Sequence, residues 1–304
     1  MIEKYIQKLI MNLPSHITNK SKPISIDLIL DGGMFNGSYL IGGLYFLKEM
    51  EKRKFIKIER ISGCSIGSIM GFLYLIDSLH LAEELYSKFF HNFKKEHHLT
   101  ILIDLENLLK QFIPPNLNRQ IKNKFFVTYY NISSSKKIIK RHYKNQEDII
   151  QTLIKSCFVP IIINGEILYK KKYLDGINPY IFPIGKRKIL YMDLYGYDKL
   201  LDIVCIKNEK SNIHRILSGL LDIHTFFLRG KNTSMCSYIQ NWNFKNNIIF
   251  FIKQNLEKIN IVIIYLLIFL KKHIPNELKS HFLFKMSNNV FYDFYNKMIG
   301  NYCI

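Results

Sequence analysis

The feature that most constrains this chain is a pattern that occurs twice near its N-terminus: a strand rich in β-branched residues, a glycine turn and an apolar helix. The first unit is a strand at 24–30, the turn Asp31-Gly32-Gly33 and a helix from about 37 to 53. The second is a strand near 56–61, the turn 62–67 and a helix that is apolar nearly all round. Successive units of this kind predict a parallel α/β sheet that buries the second helix.

The rest of the chain is predicted to add strands in hairpins and several helices. The further strands are expected at 125–130, 137–141, 161–163, 166–174 and 189–194. Helices are expected over 80–123, with a break at Pro114-Pro115, and after Asn145, which caps the helix that follows. Beyond about residue 210 the chain is expected to be helical.

The net charge of +19, from 43 Lys and Arg against 24 Asp and Glu, favours polyanionic partners such as nucleic acid or an anionic membrane. The basic residues form short scattered runs, which indicates solvated surface first and a membrane-facing patch second. Because no recognition motif or ordered basic–aromatic stripe accompanies them, we do not expect nucleic acid as a partner.

The cysteines, the N-terminus and the apolar runs indicate whether the chain binds a metal, where it is located and whether it crosses a membrane. Five widely spaced cysteines show neither a CxxC pair nor a Cys/His metal spacing, so we expect no metal, no cofactor and no disulfide framework. The N-terminus is too polar for a secretory signal, and the apolar run 259–270 is shorter than the roughly 20 residues of a spanning helix. The expected location is the cytoplasm, with peripheral membrane association.

The second turn contains Gly63-Cys64-Ser65-Ile66-Gly67, which matches the pattern G-x-S-x-G. A nucleophilic serine must sit on a tight strand-to-helix turn, which the small residues Gly63 and Gly67 permit. The positive end of the following helix also points at the reacting oxygen. The alternative is an ordinary turn without a catalytic role. The flanking strand and apolar helix favour the assignment of Ser65 as a nucleophile.

Two further elements complete a candidate hydrolase site. The stretch 31–37, with Gly32, Gly33 and Gly37, can present consecutive backbone amides to an oxyanion, and it lacks the spacing of a nucleotide-phosphate loop. Asp175, followed by Gly176 at a predicted strand end, is the candidate base for the serine. An Asp-Gly pair alone usually means only a turn.

A serine in G-x-S-x-G first suggests an α/β-hydrolase with a later Asp and His. The histidines after Asp175 are His214, His224, His273 and His281. The predicted topology opposes this reading, since only one strand precedes the one that delivers Ser65. We therefore expect these histidines to be surface or packing residues.

The arrangement resembles the patatin-like phospholipase family over about residues 24–200. In that family a D-G-G-G-x-[RK]-G loop forms the oxyanion hole, the serine of G-x-S-x-G is the nucleophile, and the Asp of a D-G pair completes a Ser–Asp dyad. The segments 126–128, 156–160 and 173–183 also resemble family segments. The resemblance implies a three-layer α/β/α fold with a mostly parallel central sheet, plus a helical C-terminal region.

By this resemblance Ser65 and Asp175 are the catalytic residues, with Gly32, Gly33 and Met34 at the oxyanion hole. The implied activity is hydrolysis of fatty acyl esters of phospholipids, of the phospholipase A type, at an anionic membrane surface. The sequence departs from the family at three positions: Met34 replaces the third glycine, Asn36 the basic residue and Ile177 the second glycine after the Asp. These changes are expected to affect the catalytic rate and the geometry in which the substrate binds.

Three alternatives stay open: a catalytically impaired lipid-binding protein on the same fold, a lipid acyltransferase, and a nucleic-acid-binding protein suggested by charge alone. The oligomeric state is not predicted. The expected organisation is an N-terminal helix and linker (1–22), a patatin-like catalytic domain (23–210) and a helical extension (211–304) that forms a lid or a membrane-contacting region.

Overall fold

The computed structural model describes residues 2–19, 21–196, 203–207, 209–273, 296–297 and 299–300. Within these residues seven strands form one mixed sheet. The strands are β1 Ile24–Leu30, β2 Ile56–Cys64, β3 Phe125–Asn131, β4 Lys136–Lys140, β5 Tyr173–Asp175, β6 Lys188–Met192 and β7 Cys236–Tyr238. Their order across the sheet is β4-β3-β2-β1-β6-β7, and β5 pairs with β3.

Helices surround the sheet. They are α1 Ile2–Met11, α2 Ser15–Thr18, α3 Gly37–Lys52, α4 Ile66–Leu75, α5 His80–Glu96, α6 Leu105–Leu109, α7 Leu117–Gln120, α8 Gln146–Cys157, α9 Ile213–Arg229 and α10 Phe244–His273. Short 3₁₀ helices lie at Met34–Asn36, Thr100–Asp104, Lys110–Phe112, Ile132–Ser134 and Ile239–Asn241. Asn145 caps α8 as expected, because its side chain accepts a hydrogen bond of 2.9 Å from the Asp148 amide.

The strands β1, β2, β3 and β6 run parallel to one another, while β4, β5 and β7 join antiparallel. The two strand–turn–helix units of the sequence become β1 with α3 and β2 with α4. The predicted fold class, a mostly parallel α/β sheet with helices around it and a helical C-terminal region, is confirmed.

Alternating side chains of the sheet divide the core into two layers. On β1, Leu28 and Leu30 enter the large cluster that packs against the helices. Between them, Ile29 points to the other face, where it joins a smaller cluster with Phe126 and Tyr191. This period-2 pattern on buried strands means that both faces of the sheet are covered.

The predicted hairpin of strands at 161–163 and 166–174 is wrong. Only Tyr173–Asp175 is a strand, and the preceding stretch is a series of turns. Ile161, Lys170 and Lys171 have φ values of 68°, 48° and 56°, which extended strands do not contain. The β-branched composition of this stretch suggested strands, and its turns overrode that preference.

The chain beyond residue 210 contributes to the same layers. The helix α9 packs on α3, and β7 extends the sheet next to β6, a strand that the sequence did not predict. Much of the predicted extension, residues 274–295 with His281, lies outside the described residues. The division into domains at residues 22 and 210 stays a prediction.

The predicted apolar run 259–270 lies inside α10. Among the helices of the described ranges, none has the length and apolar content that a membrane crossing requires.

Two neighbouring glycines of α3 provide a test of the α3–α9 packing. A Cβ built on Gly42 would lie 1.9 Å from the backbone oxygen of Ile216 in α9, whereas one on Gly43 would lie 2.4 Å from the terminal methyl of Met192. Backbone cannot give way, but a methionine side chain can. Gly42→Ala should therefore lower the free energy of unfolding by about 2 kcal/mol or more.

Gly43→Ala is the matched control, because both variants gain the same helix propensity of about 1 kcal/mol. Its free energy of unfolding should stay within about 1 kcal/mol of the original protein's. Urea unfolding measures both. Equal losses in the two variants would contradict the close approach of α9 at Gly42.

Candidate active site

Ser65 lies on the sharp turn between β2 and α4. Its backbone has φ 48° and ψ −134°, a conformation that residues other than glycine adopt rarely. The Ser65 amide donates to the carbonyl of Ser156 at 3.1 Å and to its Oγ at 3.0 Å. The Ser156 hydroxyl in turn donates to the Thr128 carbonyl at 2.7 Å. Contacts to α8 and β3 thus hold the turn in its unusual shape.

The turn depends on very close backbone approaches. A Cβ built on Gly67 would lie 2.4 Å from the Asp31 carbonyl oxygen, so only glycine fits there. The other motif glycines lie around the same point: Gly63 is in β2, Gly37 begins α3 against Ile66, and Gly176 follows β5 against Thr128.

The sheet brings Asp175 to Ser65 through the register of β3. The strand β2 pairs with β3 up to Cys64 opposite Thr128. The next residue of β3, Tyr129, pairs with Asp175 of β5. Because β4 occupies the other edge of β3, β5 must follow β2 along the same edge. The end of β2 and the end of β5 therefore meet, and Ser65 and Asp175 lie side by side.

Burial and hydrogen bonds set the acidity of Asp175. Burial raises the pKa of its carboxyl from the ordinary 3.8 to about 7, against the opposing effect of a hydrogen bond from the Ser65 side chain. The backbone amides of Ile177, at 3.1 Å, and Gly176 also lower it, and the charge of Glu257 raises it. A carboxyl with this pKa can accept and return a proton near neutral pH.

The glycine loop lies against the serine. A Cβ built on Gly32 would be 3.0 Å from the Cβ of Ser65. The Gly32 amide itself donates to the Asp31 carboxylate at 2.9 Å. The amides of Gly33 and Met34 have no acceptor among the described residues, so they are the available donors of this loop.

The Ile66 amide is a third donor, which the sequence reasoning did not include. It belongs to the residue after Ser65, at the first position of α4, where a helix leaves its amides without intrahelical partners. The signal for it was present, since the residue after the nucleophile commonly supplies one donor in such turns.

Asp31, at the start of the loop, is fully buried and ion-paired. Its Oδ2 accepts hydrogen bonds from the Tyr191 hydroxyl at 2.7 Å and from Nζ of Lys253 at 2.8 Å. Burial raises the pKa of the Asp31 carboxyl, and Lys253 opposes that change. Burial alone would lower the pKa of Lys253, but Asp31 and Asp193 raise it to about 12. No sequence pattern pointed to Lys253, which comes from α10.

A buried guanidinium stands behind position 36 of the loop. Nη1 of Arg215, in α9, donates to Oδ1 of Asn36 at 2.8 Å, and Arg215 also pairs with Glu209. The Asn36 amide group donates to the Leu194 carbonyl at 3.0 Å. A basic group therefore contacts the loop at position 36, although the residue there is neutral.

An apolar pocket borders Ser65. Apart from Ser65, its wall is mainly aliphatic and aromatic, with Met34, Ile66, Ile69, Met70, Phe89 and Leu102 among the lining residues. Pockets that are mostly apolar with a few placed polar groups are typical of sites for apolar ligands.

The histidines lie elsewhere. His214 is exposed near Glu209, His224 is buried against Phe46, and His273 stacks on Phe269. No histidine is among the described residues that line the pocket at Ser65. His281 lies outside the described ranges.

Two of the departures from the glycine pattern have positive φ values: Met34 at 43° and Ile177 at 54°. Side chains with a Cβ pay about 1–2 kcal/mol in this region, and a β-branched residue there is an outlier. The loops on both sides of Ser65 thus keep a backbone shape that suits glycine, with larger side chains in it.

Comparison with known proteins shows what the chain is similar to. The sequence model described as patatin-like phospholipase matches residues 28–178, a range that contains Ser65 and Asp175. The chain is also similar to the human patatin-like phospholipase domain-containing protein 4, with 21% identity over 239 residues, or 73% of this chain and 94% of that protein.

Replacement of Ile177 tests whether its positive φ strains the backbone. Ile177→Gly should raise the free energy of unfolding by up to about 1 kcal/mol, because relief of about 1–2 kcal/mol exceeds the extra chain entropy of glycine, about 0.5–1 kcal/mol. Ile184→Gly is the control: Ile184 is exposed and has no positive φ, so glycine should only destabilise it. Chemical denaturation compares them, and a loss at Ile177 as large as that at Ile184 would argue against strain.

Proposed function

Residues 28–178 belong to the patatin-like phospholipase family of lipid hydrolases, and from this premise we propose that the protein is a lipid acyl hydrolase of the phospholipase A type. It cleaves fatty acyl esters of phospholipids through an acyl-enzyme on Ser65, with Asp175 as the base. The observation that carries this proposal is the register of β3, which brings Ser65 at the end of β2 beside Asp175 at the end of β5, a buried carboxyl whose pKa is raised to about 7.

In the first step Asp175 accepts the hydroxyl proton of Ser65 while Oγ attacks the ester carbonyl carbon. The carbonyl electron pair moves to the oxygen. The amides of Gly33, Met34 and Ile66 are the donors for that oxyanion, and the N-terminus of α4 adds a positive field. This set differs from the predicted oxyanion hole of Gly32, Gly33 and Met34: Ile66 replaces Gly32, whose amide instead orders the loop through its bond to the Asp31 carboxylate.

The tetrahedral intermediate then collapses, and Asp175 returns its proton to the leaving alcohol oxygen. The fatty acyl group stays on Ser65 as an ester. In the second half, Asp175 accepts a proton from a water molecule that attacks this ester, and the same proton returns to Oγ when the fatty acid leaves. Each proton thus passes through one carboxyl group, whose pKa near neutrality suits both directions.

The pocket at Ser65 supports a fatty acyl chain as the group that is transferred. Its wall offers dispersion contacts and few hydrogen-bonding partners, which favours hydrocarbon over a polar acyl group. The net charge of +19 supports an anionic membrane surface as the place where the protein meets its substrate.

The dyad is tested by Ser65→Ala and Asp175→Asn. Each should lower kcat/KM for an acyl ester by at least about 10³-fold, because nucleophile and base act as one unit. Fatty acid release from phospholipid vesicles measures the loss. A fluorophosphonate should label the original protein at Ser65, as mapped by mass spectrometry of the modified peptide.

Ser133→Ala, at an exposed serine, is the control and should keep full activity. His214→Gln, His224→Gln, His273→Gln and His281→Gln should also remain active. Activity in both dyad variants, or its loss in one folded histidine variant, would contradict the dyad. Lipid binding without labelling of Ser65 would favour the non-catalytic alternative.

The raised pKa of Asp175 predicts the pH profile. Only the carboxylate accepts a proton, so kcat/KM should rise with pH and reach half its plateau near pH 7, the value to which the pKa is raised. The folded-state pKa lies above the ordinary 3.8, so ionisation destabilises the fold: this contribution to stability is complete below pH 3.8 and is lost as pH rises through about 7.

Asp175→Asn lacks that titration, so the stability difference between it and the original protein should change over the same pH window. Thermal unfolding in a series of buffers measures the difference. An activity profile with its midpoint near pH 4, the range of ordinary carboxyl groups, would contradict the assignment of Asp175 as the base.

A further inference from the structure

The C-terminal helix α10 has one face toward the protein and one exposed face that is largely apolar. It runs from Phe244 to His273, 30 residues, or about 45 Å at 1.5 Å per residue. Lys253, Glu257, Ile261 and Ile264 recur at spacings of three and four, and these residues face the protein. Because a helix places such positions on one side, α10 has a defined inward face.

The inward face binds the segments that form the candidate active site. Nζ of Lys253 lies 2.8 Å from Oδ2 of Asp31 and 2.7 Å from Oδ1 of Asp193. One turn on, Glu257 accepts a hydrogen bond of 2.7 Å from Nδ2 of Asn178, three residues after Asp175. The helix is thus fixed to the glycine loop and to the segment that follows the base.

The outward face is apolar and exposed. Its residues include Ile248, Phe251, Leu256, Ile259, Val262 and Leu266, with exposed fractions of 40% to 66%. At 100° per residue they fall within a sector of about 140° centred roughly opposite Glu257. Globular monomers rarely expose a contiguous apolar surface of this extent, and such surfaces mark interaction sites.

An amphipathic helix of a globular protein commonly turns its apolar residues to the core, whereas α10 exposes a wide apolar sector. A helix with a wide apolar sector and a charged opposite side suits the plane of a lipid interface. The bonds that Lys253 and Glu257 make to the rest of the protein hold the inward side in place. Only the outward side of the helix can therefore enter a bilayer.

Charge complementarity identifies the occupant. The exposed Lys258 borders the apolar sector, the exposed Lys245 lies within it at the N-terminal end of the helix, and Lys272 is exposed at the other end. The chain as a whole carries +19. Basic side chains at the border of an apolar sector bind anionic headgroups while the apolar residues enter the acyl region.

We propose that the outward face of α10 is a docking surface for an anionic lipid bilayer, and that Lys253 and Glu257 on the inward face hold the active site at that bilayer. The choice of lipid as occupant rests on the proposed function. The residues of the docking surface are Ile248, Phe251, Leu256, Ile259, Val262 and Leu266.

The test uses the full chain with Ser65→Ala, so that lipid is not consumed. Co-sedimentation with phosphatidylcholine vesicles that contain phosphatidylserine measures binding. Adding Ile259→Glu and Val262→Glu should weaken binding at least about tenfold, because two aliphatic side chains that would be buried in the bilayer are replaced by charges. Ile184→Glu is the matched control, since Ile184 is 69% exposed and lies outside α10, and its binding should not change.

Three results would overturn the docking surface. One is equal vesicle binding with and without the α10 substitutions, or no binding by the Ser65→Ala chain. Another is a large fall in Tm with unchanged binding, which would mean that the face packs against the chain itself. The third is a dimer, detected by light scattering, that the substitutions dissociate while vesicle binding persists.

The readout is independent of catalysis. A protein that binds vesicles through α10 but hydrolyses no acyl ester would keep the docking surface and lose the proposed function. A protein that hydrolyses esters and binds vesicles equally well with both glutamates present would keep the function and lose the docking surface.

Discussion

The structure depends on one edge of β3 that two strands share. The strand β2 occupies this edge up to Thr128, and β5 continues it from Tyr129. Neighbouring positions along a strand are about 3.3 Å apart, so the residue that leaves β2 and the residue that ends β5 must be close. Backbone pairing is enough to bring Ser65 and Asp175 together, and the Ser156 bonds to Ser65 and Thr128 tie the end of β2 and the strand β3 to α8.

Two buried carboxyl groups near this point, those of Asp175 and Asp31, have different neighbours. No cation of the described residues lies beside Asp175, and burial raises its pKa to about 7, so it can act as a base. Asp31 has Lys253 within 2.8 Å, which stabilises its charged form and fixes the glycine loop through the Gly32 amide. Removal of one partner of such a buried pair typically costs about 3–5 kcal/mol. The loop therefore relies on a residue beyond position 210, across the predicted boundary of the catalytic domain.

Sequence patterns predicted those features of the structure that depend on neighbouring residues in the chain. The two strand–glycine–helix units, the cap at Asn145 and the position of Ser65 on its turn follow from neighbouring residues. The strands expected before Asp175 failed because Lys170 and Lys171 form turns that composition does not reveal. Lys253 and Arg215 carry no periodic signal, since a single buried cation is identified only by the distant carboxylate or amide that it meets.

The orientation of α10 shows how such distant contacts override the ordinary rule. From the sequence, a helix with apolar residues on most of its circumference is expected to turn them inward. Here Asp31 and Asp193 are within 3 Å of Lys253, and without this cation the buried Asp31 carboxylate would be left unpaired. The charged side of α10 is therefore bound to the protein, and its apolar side is left outside. The exposed surface is thus a consequence of how the loop beside Ser65 is held.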